Sequence, residues 1–294
     1  NWPRIFLIAL ILLAEQVGSF GQGSMDSLAQ RLKNERNDSV RFLLLQELSN
    51  TAEYTDYRQS RLFADEASEL AEKLGPWAKG KSYLRLAFLE TMEGDYSSAL
   101  NYDLQCAALY VQSGDSVNLA NAYIDIGNDY RDMGNYDDAY YYHSESFRLA
   151  RKANKKATRR DSLIMGVALH NMGTVFTELG QYELGLQHFV ASEKISAAID
   201  DEIAPAYTRD EVGELYRKKG DYINAEKSLW EAVELARKLK IRVLVPRTKL
   251  HLANLYLDKG DYGKALSYFD SVRADQRVIN NRFTLAECDL GSGR

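Results

Sequence analysis

The sequence predicts an all-α fold, a solenoid of antiparallel helix pairs, and three observations predict it. First, a Gly-polar-Tyr turn recurs: GDYSSA from Gly94, GNYDDA from Gly134, GQYELG from Gly180, GDYINA from Gly220 and GDYGKA from Gly260, with a weaker copy, TDYRQS, from Thr55. The intervals are 39, 40, 46, 40 and 40 residues, so Tyr57, Tyr96, Tyr136, Tyr182, Tyr222 and Tyr262 share one slot, the mark of a repeat architecture. Second, small residues flank the turn at fixed offsets. Five past the glycine stand Ala99, Ala139, Gly185, Ala225 and Ala265; seven before it stand Ala87, Gly127, Gly173, Gly213 and Ala253. Third, 294 residues hold only 4 prolines, which leaves room for long uninterrupted helices.

The turn explains itself physically. Its glycine can take the left-handed conformation that closes a helix, and the Asp or Asn after it can cap the next one. With so short a link the two helices must run antiparallel. Small residues at facing positions let them approach toward the short end of the ~8–10 Å packing range. An aromatic sits four before the glycine in four copies, Tyr130, Phe176, Tyr216 and Tyr256, whereas repeat two has Glu90.

The elements follow in chain order. Arg4 precedes an apolar run from Ile5 to Ala14; ten helical residues span about 15 Å, half a hydrocarbon core of ~30 Å. Residues 1–21 therefore read as a secretory signal peptide, with Ser19-Phe20-Gly21 supplying small residues for cleavage before Gln22. Residues 22–38 read as a polar leader or N-terminal cap carrying Leu28 and Leu32, and the repeats occupy 39–294. Gly75-Pro76 ends the first hairpin. Asp115-Ser116 and Asp161-Ser162 mark helix starts. The long interval has its excess around Lys155 to Arg160, a basic run read as a solvated helix end. Gly185 stands where the other copies have Ala and costs its helix about 1 kcal/mol. Ala286 lies seven before Gly293, so about six repeats are followed by a truncated seventh.

This pattern resembles the tetratricopeptide repeat, in its longer-period variants, from about residue 39 onward. The resemblance implies a right-handed superhelical solenoid whose first helices line a concave face that takes an extended peptide.

Chemistry of other kinds finds little support. With 42 acidic against 37 basic residues, bulk charge does not indicate nucleic-acid binding, and no apolar run reaches the ~18 residues of a membrane helix. The four histidines form no metal-ligand spacing, and there is no nucleophile elbow, P-loop or dinucleotide fingerprint. No enzyme activity, cofactor or metal is expected. Cys106 occupies a small-residue slot shared with Ala67, Ser146, Ser192 and Ala232, which reads as packing.

Helical periodicity puts residues six, ten and thirteen before the turn glycine on the face opposite the small residues. These positions supply Lys81 in repeat two, Asn121 and Asn128 in repeat three, and His170 and Thr174 in repeat four. Repeats five and six supply Asp210, Glu214, Arg247 and Asn254. Nine before the glycine come Arg85, Asn171 and His251, and three before it Arg131 and Arg217. Amides can satisfy a strand-like ligand's backbone, and arginines can hold carboxylates. The expected function is a non-catalytic protein- or peptide-binding scaffold. It is expected to be exported to the periplasm or cell envelope of a bacterium, as the sensing part of a larger signalling protein. The alternatives are a cytoplasmic peptide-responsive regulator and a non-catalytic part of a larger enzyme.

Overall fold

The computed structural model describes residues 17–53, 56–152, 158–275 and 282–293. Most of the expected signal peptide, Thr55 and the stretch around Lys155 lie outside the described residues. Among those described there are fourteen helices and no strand. They are α1 (Val17–Asn34), α2 (Asp38–Ala52), α3 (Tyr57–Leu74), α4 (Pro76–Glu93), α5 (Tyr96–Ser113), α6 (Ser116–Asp132) and α7 (Tyr136–Lys152). The second half holds α8 (Arg159–Glu178), α9 (Tyr182–Ala198), α10 (Ala204–Lys219), α11 (Tyr222–Lys238), α12 (Leu244–Asp258), α13 (Tyr262–Arg273) and α14 (Arg282–Ser292). From α2 to α13 they form six consecutive hairpins, each packed on the next, with α14 against α13. None of the described helices is long and apolar enough to cross a membrane.

The repeated turn does what its residues allow. Gly94, Gly134, Gly180, Gly220 and Gly260 have φ between 71° and 83°, a region open to glycine at little cost. The next residue's N–H reaches back to the carbonyl of Glu90, Tyr130, Phe176, Tyr216 or Tyr256 at 2.8–3.0 Å, closing a Schellman motif. The carboxylates of Asp95, Asp221 and Asp261 then accept from the N–H groups of Ser98, Asn224 and Lys264 at 3.0–3.2 Å. Gln181 makes no such cap. Asp115 caps α6 as expected, but α8 begins earlier than Asp161 suggests. Its cap is Thr158, and Asp161 is the third helical residue, reaching back to the Thr158 N–H at 2.8 Å to complete a capping box.

Packing inside a hairpin depends on the missing side chains. A Cβ added at Gly127 would lie 2.6 Å from the His143 ring, at Gly173 2.8 Å from Phe189, and at Gly213 2.6 Å from Leu229. At Gly185 it would meet Leu215, Thr177 and the Gly173 carbonyl at 3.0–3.1 Å, so the helix cost read there is set against a tight fit. Ser146, Ser192 and Cys106 each donate to a carbonyl of the partner helix, at Ala120, Gly166 and Gly80, so that slot bonds as well as packs.

At four of the six junctions between hairpins, the residue nine past one turn position packs with the residue five before the next. Ala64 thus clusters with Leu89, Phe189 with Leu215, Leu229 with Leu255, and Phe269 with Cys288. At the N-terminal end Leu28 of α1 packs with Leu44 and Leu48 of α2. At the other end α14 comes against α4 as well as α12 and α13.

Candidate functional site

The first helices of successive hairpins also touch one another, α2 with α4, α6 with α8, α8 with α10, α10 with α12 and α12 with α14. From α6 to α14 their free edges join into one inner surface, and the polar residues picked out by offset fall on these first helices, and on α4, in distinct roles.

Between α6 and α8, Asn171 Nδ2 donates to Asn128 Oδ1 at 3.0 Å. Arg131, which also holds Asp132, reaches the same oxygen at 3.4 Å. Between α8 and α10, His170 Nδ1 lies 3.4 Å from Thr208 Oγ1, while Thr174 bonds the His170 carbonyl of its own helix. Burial, helped by the charges of Arg247 and Arg131, pushes the His170 imidazole down to about 3, so it is neutral.

The densest group joins α10 to α12. Asp210 is fully buried and faces Arg247 Nε and His251 Nδ1, each at 3.0 Å. Burial works against its charge, but the positive charges of His251 and Arg247, with hydrogen bonds from His251 and Thr248, overcome this and hold it at about 2. Burial likewise opposes the charge on His251, yet Asp210 raises its pKa above the ordinary histidine value. Arg247 also pairs with Glu211, and Arg217 bridges Glu214 of its own helix and Asp258 of the next.

Arg85 is not on the surface. It is 6% exposed and turned into the first hairpin, donating to Ser49 Oγ and carbonyl at 2.7 Å, Ser60 Oγ at 2.8 Å and Glu53 at 2.5 Å. Lys81, Asn121 and Asn254 are half-buried. Burial lowers the Lys81 pKa, and Asn121 donates to the Val117 carbonyl one turn back. Neither Lys81 nor Asn254 has a side-chain partner among the described residues.

The offsets place these residues on the first helices of their hairpins, and do not pick out Glu211, Thr208 and Asp258, which pair with them there. Glu211 was recoverable, since it stands nine before Gly220, the offset that yields Arg85, Asn171 and His251. No group of three or more His, Cys, Asp or Glu among the described residues is placed to hold a metal ion. The surface can present amides and a lysine to a ligand, on a floor stiffened by ion pairs between repeats.

Residues 80–152, and separately 210–239 and 246–272, match models of the tetratricopeptide repeat. Compared by sequence with proteins of curated function, the chain matches none. Among solved structures it is similar to the apo form of RapI, at TM-score 0.66 and 14% identity over 90% of this chain and 91% of that one. It is similar to NprR in complex with its cognate peptide NprX, at 0.66 and 17% over 95% and 80%. A Rap protein complexed with Competence and Sporulation Factor gives 0.65 and 14% over 98% and 80%.

Proposed function

We propose that this chain, a tetratricopeptide-repeat protein, is a non-catalytic scaffold whose inner helix face binds an extended peptide or a protein segment. The observation that carries this reading is the division of labour on that face. Asp210, Glu214, Arg217 and Arg247 lock neighbouring repeats together, while Asn254 and Lys81 stay half-buried and unpartnered. A half-buried amide offers both a donor and an acceptor, and a ligand backbone can satisfy both. The fold likeness to NprR, whose structure holds its cognate peptide, supports the same reading. The apolar stretch within residues 1–21 supports export to the periplasm or cell envelope, where the repeats would form the sensing part of a signalling protein.

The test is a random decapeptide library displayed on beads and panned against the chain. Peptides enriched on the wild type should lose about tenfold in affinity with Asn254→Ala, the loss of one buried hydrogen bond or a little more. Lys81→Ala should additionally weaken acidic peptides. Enriched peptides that ignore both changes would place binding on another face. Export is tested by expression with the leader and N-terminal sequencing of the product: a mature chain starting at Gln22 supports it, and an uncleaved chain favours the cytoplasmic regulator.

A further inference from the structure

The links between hairpins repeat as the turns do. Twenty residues past the turn position stand Gly75, Gly114, Asp200 and Lys240, and all four have positive φ, at 90°, 69°, 52° and 58°. After three of them the next N–H reaches back into the helix just ended, Asp115 to the Tyr110 carbonyl, Asp201 to Ser196 and Ile241 to Ala236, at 2.7–3.0 Å. Such a backbone asks for glycine, and the first two links supply it. Asp200 and Lys240 are the only non-glycine residues with positive φ among those described, a conformation that crowds Cβ against a carbonyl oxygen.

The helix dipole does not account for both. A cation suits the C-terminal end of α11, but an acid at the end of α9 stands against the dipole. The fold does not use these side chains either. Both are exposed, and neither makes a side-chain hydrogen bond or ion pair with a described residue. Glu202 is likewise exposed and unpartnered. Asp201, by contrast, accepts from the N–H groups of Ile203 and Ala204, and Arg159 reaches this link only to donate to the Ile199 carbonyl.

The two links are alike in backbone and opposite in sign. Residues 199–203 carry Asp200 and Glu202; 40 residues on, the same slots of 239–243 carry Lys240 and Arg242. The flanking slots are apolar and half-buried in both, Ile199 and Leu239, Ile203 and Val243. Lys240 and Arg242 also line a hollow of about 290 Å³ with Ala236, Arg237 and Val245. A two-fold axis passing between such links sets each against the opposite link of a second copy, acid on base twice over.

We propose that residues 199–203 and 239–243 form a self-complementary edge through which two copies of this chain pair. Asp200 and Glu202 of each copy face Lys240 and Arg242 of the other, and the half-buried apolar residues of the links meet between them. The opposed charges set the register. The pairing is independent of whether the inner face takes a peptide.

Sedimentation equilibrium of the whole chain tests it. The wild type should show a monomer–dimer equilibrium whose dissociation constant rises about tenfold from about 0.05 to about 0.5 M sodium chloride. Asp200→Lys and Lys240→Glu should each weaken pairing about tenfold, because like charges then meet. An equal mixture of the two single variants should recover the dimer, and so should both changes in one chain, since every reversed residue again faces its opposite. Asp200→Gly with Lys240→Gly suits the backbone, so helicity by circular dichroism should hold while the dimer is lost. A wild-type chain that stays monomeric at low salt up to about 1 mM overturns the proposal. So does a dimer that every variant forms equally, which places pairing on another face, or a mixture that pairs no better than its two components alone.

Discussion

Asp210 shows how much one residue can be asked to hold. Its charge survives full burial only because His251 and Arg247 face it from the next repeat. Asp210→Asn keeps the shape and removes the charge, so it should cost about 3 kcal/mol, the low end for a broken buried pair because Arg247 is partly in water. The same change should lower the His251 titration, read from its imidazole NMR signals; an unmoved titration would mean the pair is not an ion pair in solution. The pH window has two edges. His251 is raised above 6.5, so its contribution is complete below that value and is lost as pH climbs through the raised one. Asp210 is depressed from 3.8 to about 2, so its contribution is present above 3.8 and is lost as pH falls through about 2. Urea midpoints should therefore fall on moving from mildly acid to mildly alkaline solution, and His251→Phe should flatten that fall. Gly213 is the apolar counterpart. Ala there gains about 1 kcal/mol of helix propensity but drives a methyl group to 2.6 Å from Leu229, an overpacking cost of roughly 1–3 kcal/mol, so equilibrium unfolding should show a net loss.

At the scale of the element, the turn is nearly complete and one copy is deficient. Gln181 has φ −91° and ψ 61°, close to the −87° and 72° of Asp95, yet it makes no cap hydrogen bond. The backbone is already in capping geometry, so Gln181→Asp should stabilise by about 1 kcal/mol, while Asp221→Ala should lose a similar amount; melting temperatures that move the other way would refute the cap reading. These turns were legible because everything they need lies within six residues of one glycine. The start of α8 was less so: Asp161 is helix-initiating chemistry, but the cap itself is Thr158, hidden at the end of a basic run. The inner face was legible in part, for a similar reason. Offsets within a repeat place Asn128, His170 and Asp210 on one side of their helices. They do not say that Asn128 meets Asn171, or that Asp210 meets His251, because those contacts depend on the rotation from each hairpin to the next. Arg85 is the sharpest case, since its offset puts it at the groove edge whereas Ser49, Ser60 and Glu53 draw its guanidinium inward.

Across the whole molecule, stability in such a stack is a sum of hairpins and the interfaces between neighbours, so the interfaces rank the order of opening. Leu229 with Leu255 and Phe269 with Cys288 bury large apolar side chains completely, worth roughly 1.5–3 kcal/mol for each one buried. At the equivalent positions of the α5–α6 interface stand two buried acids, Asp103 and Asp129, in place of that gain. The weakest interface should lie between α5 and α6, and the chain should open there before it opens anywhere from α10 to α13. Because burial and the neighbouring carboxylates raise the Asp129 value, the folded chain holds its proton there where the unfolded chain has lost it. The stability of that interface is therefore full below the ordinary 3.8 and declines as pH rises toward about 9. Native-state hydrogen exchange should show amides of α2 to α5 opening with lower free energy than those of α10 to α13. That gap should widen with pH once intrinsic exchange is divided out. In the Asp103→Leu, Asp129→Leu chain the two halves should converge and the pH dependence of the gap should vanish. Uniform protection across the wild-type solenoid, at every pH, would show that the acid pair does not divide it.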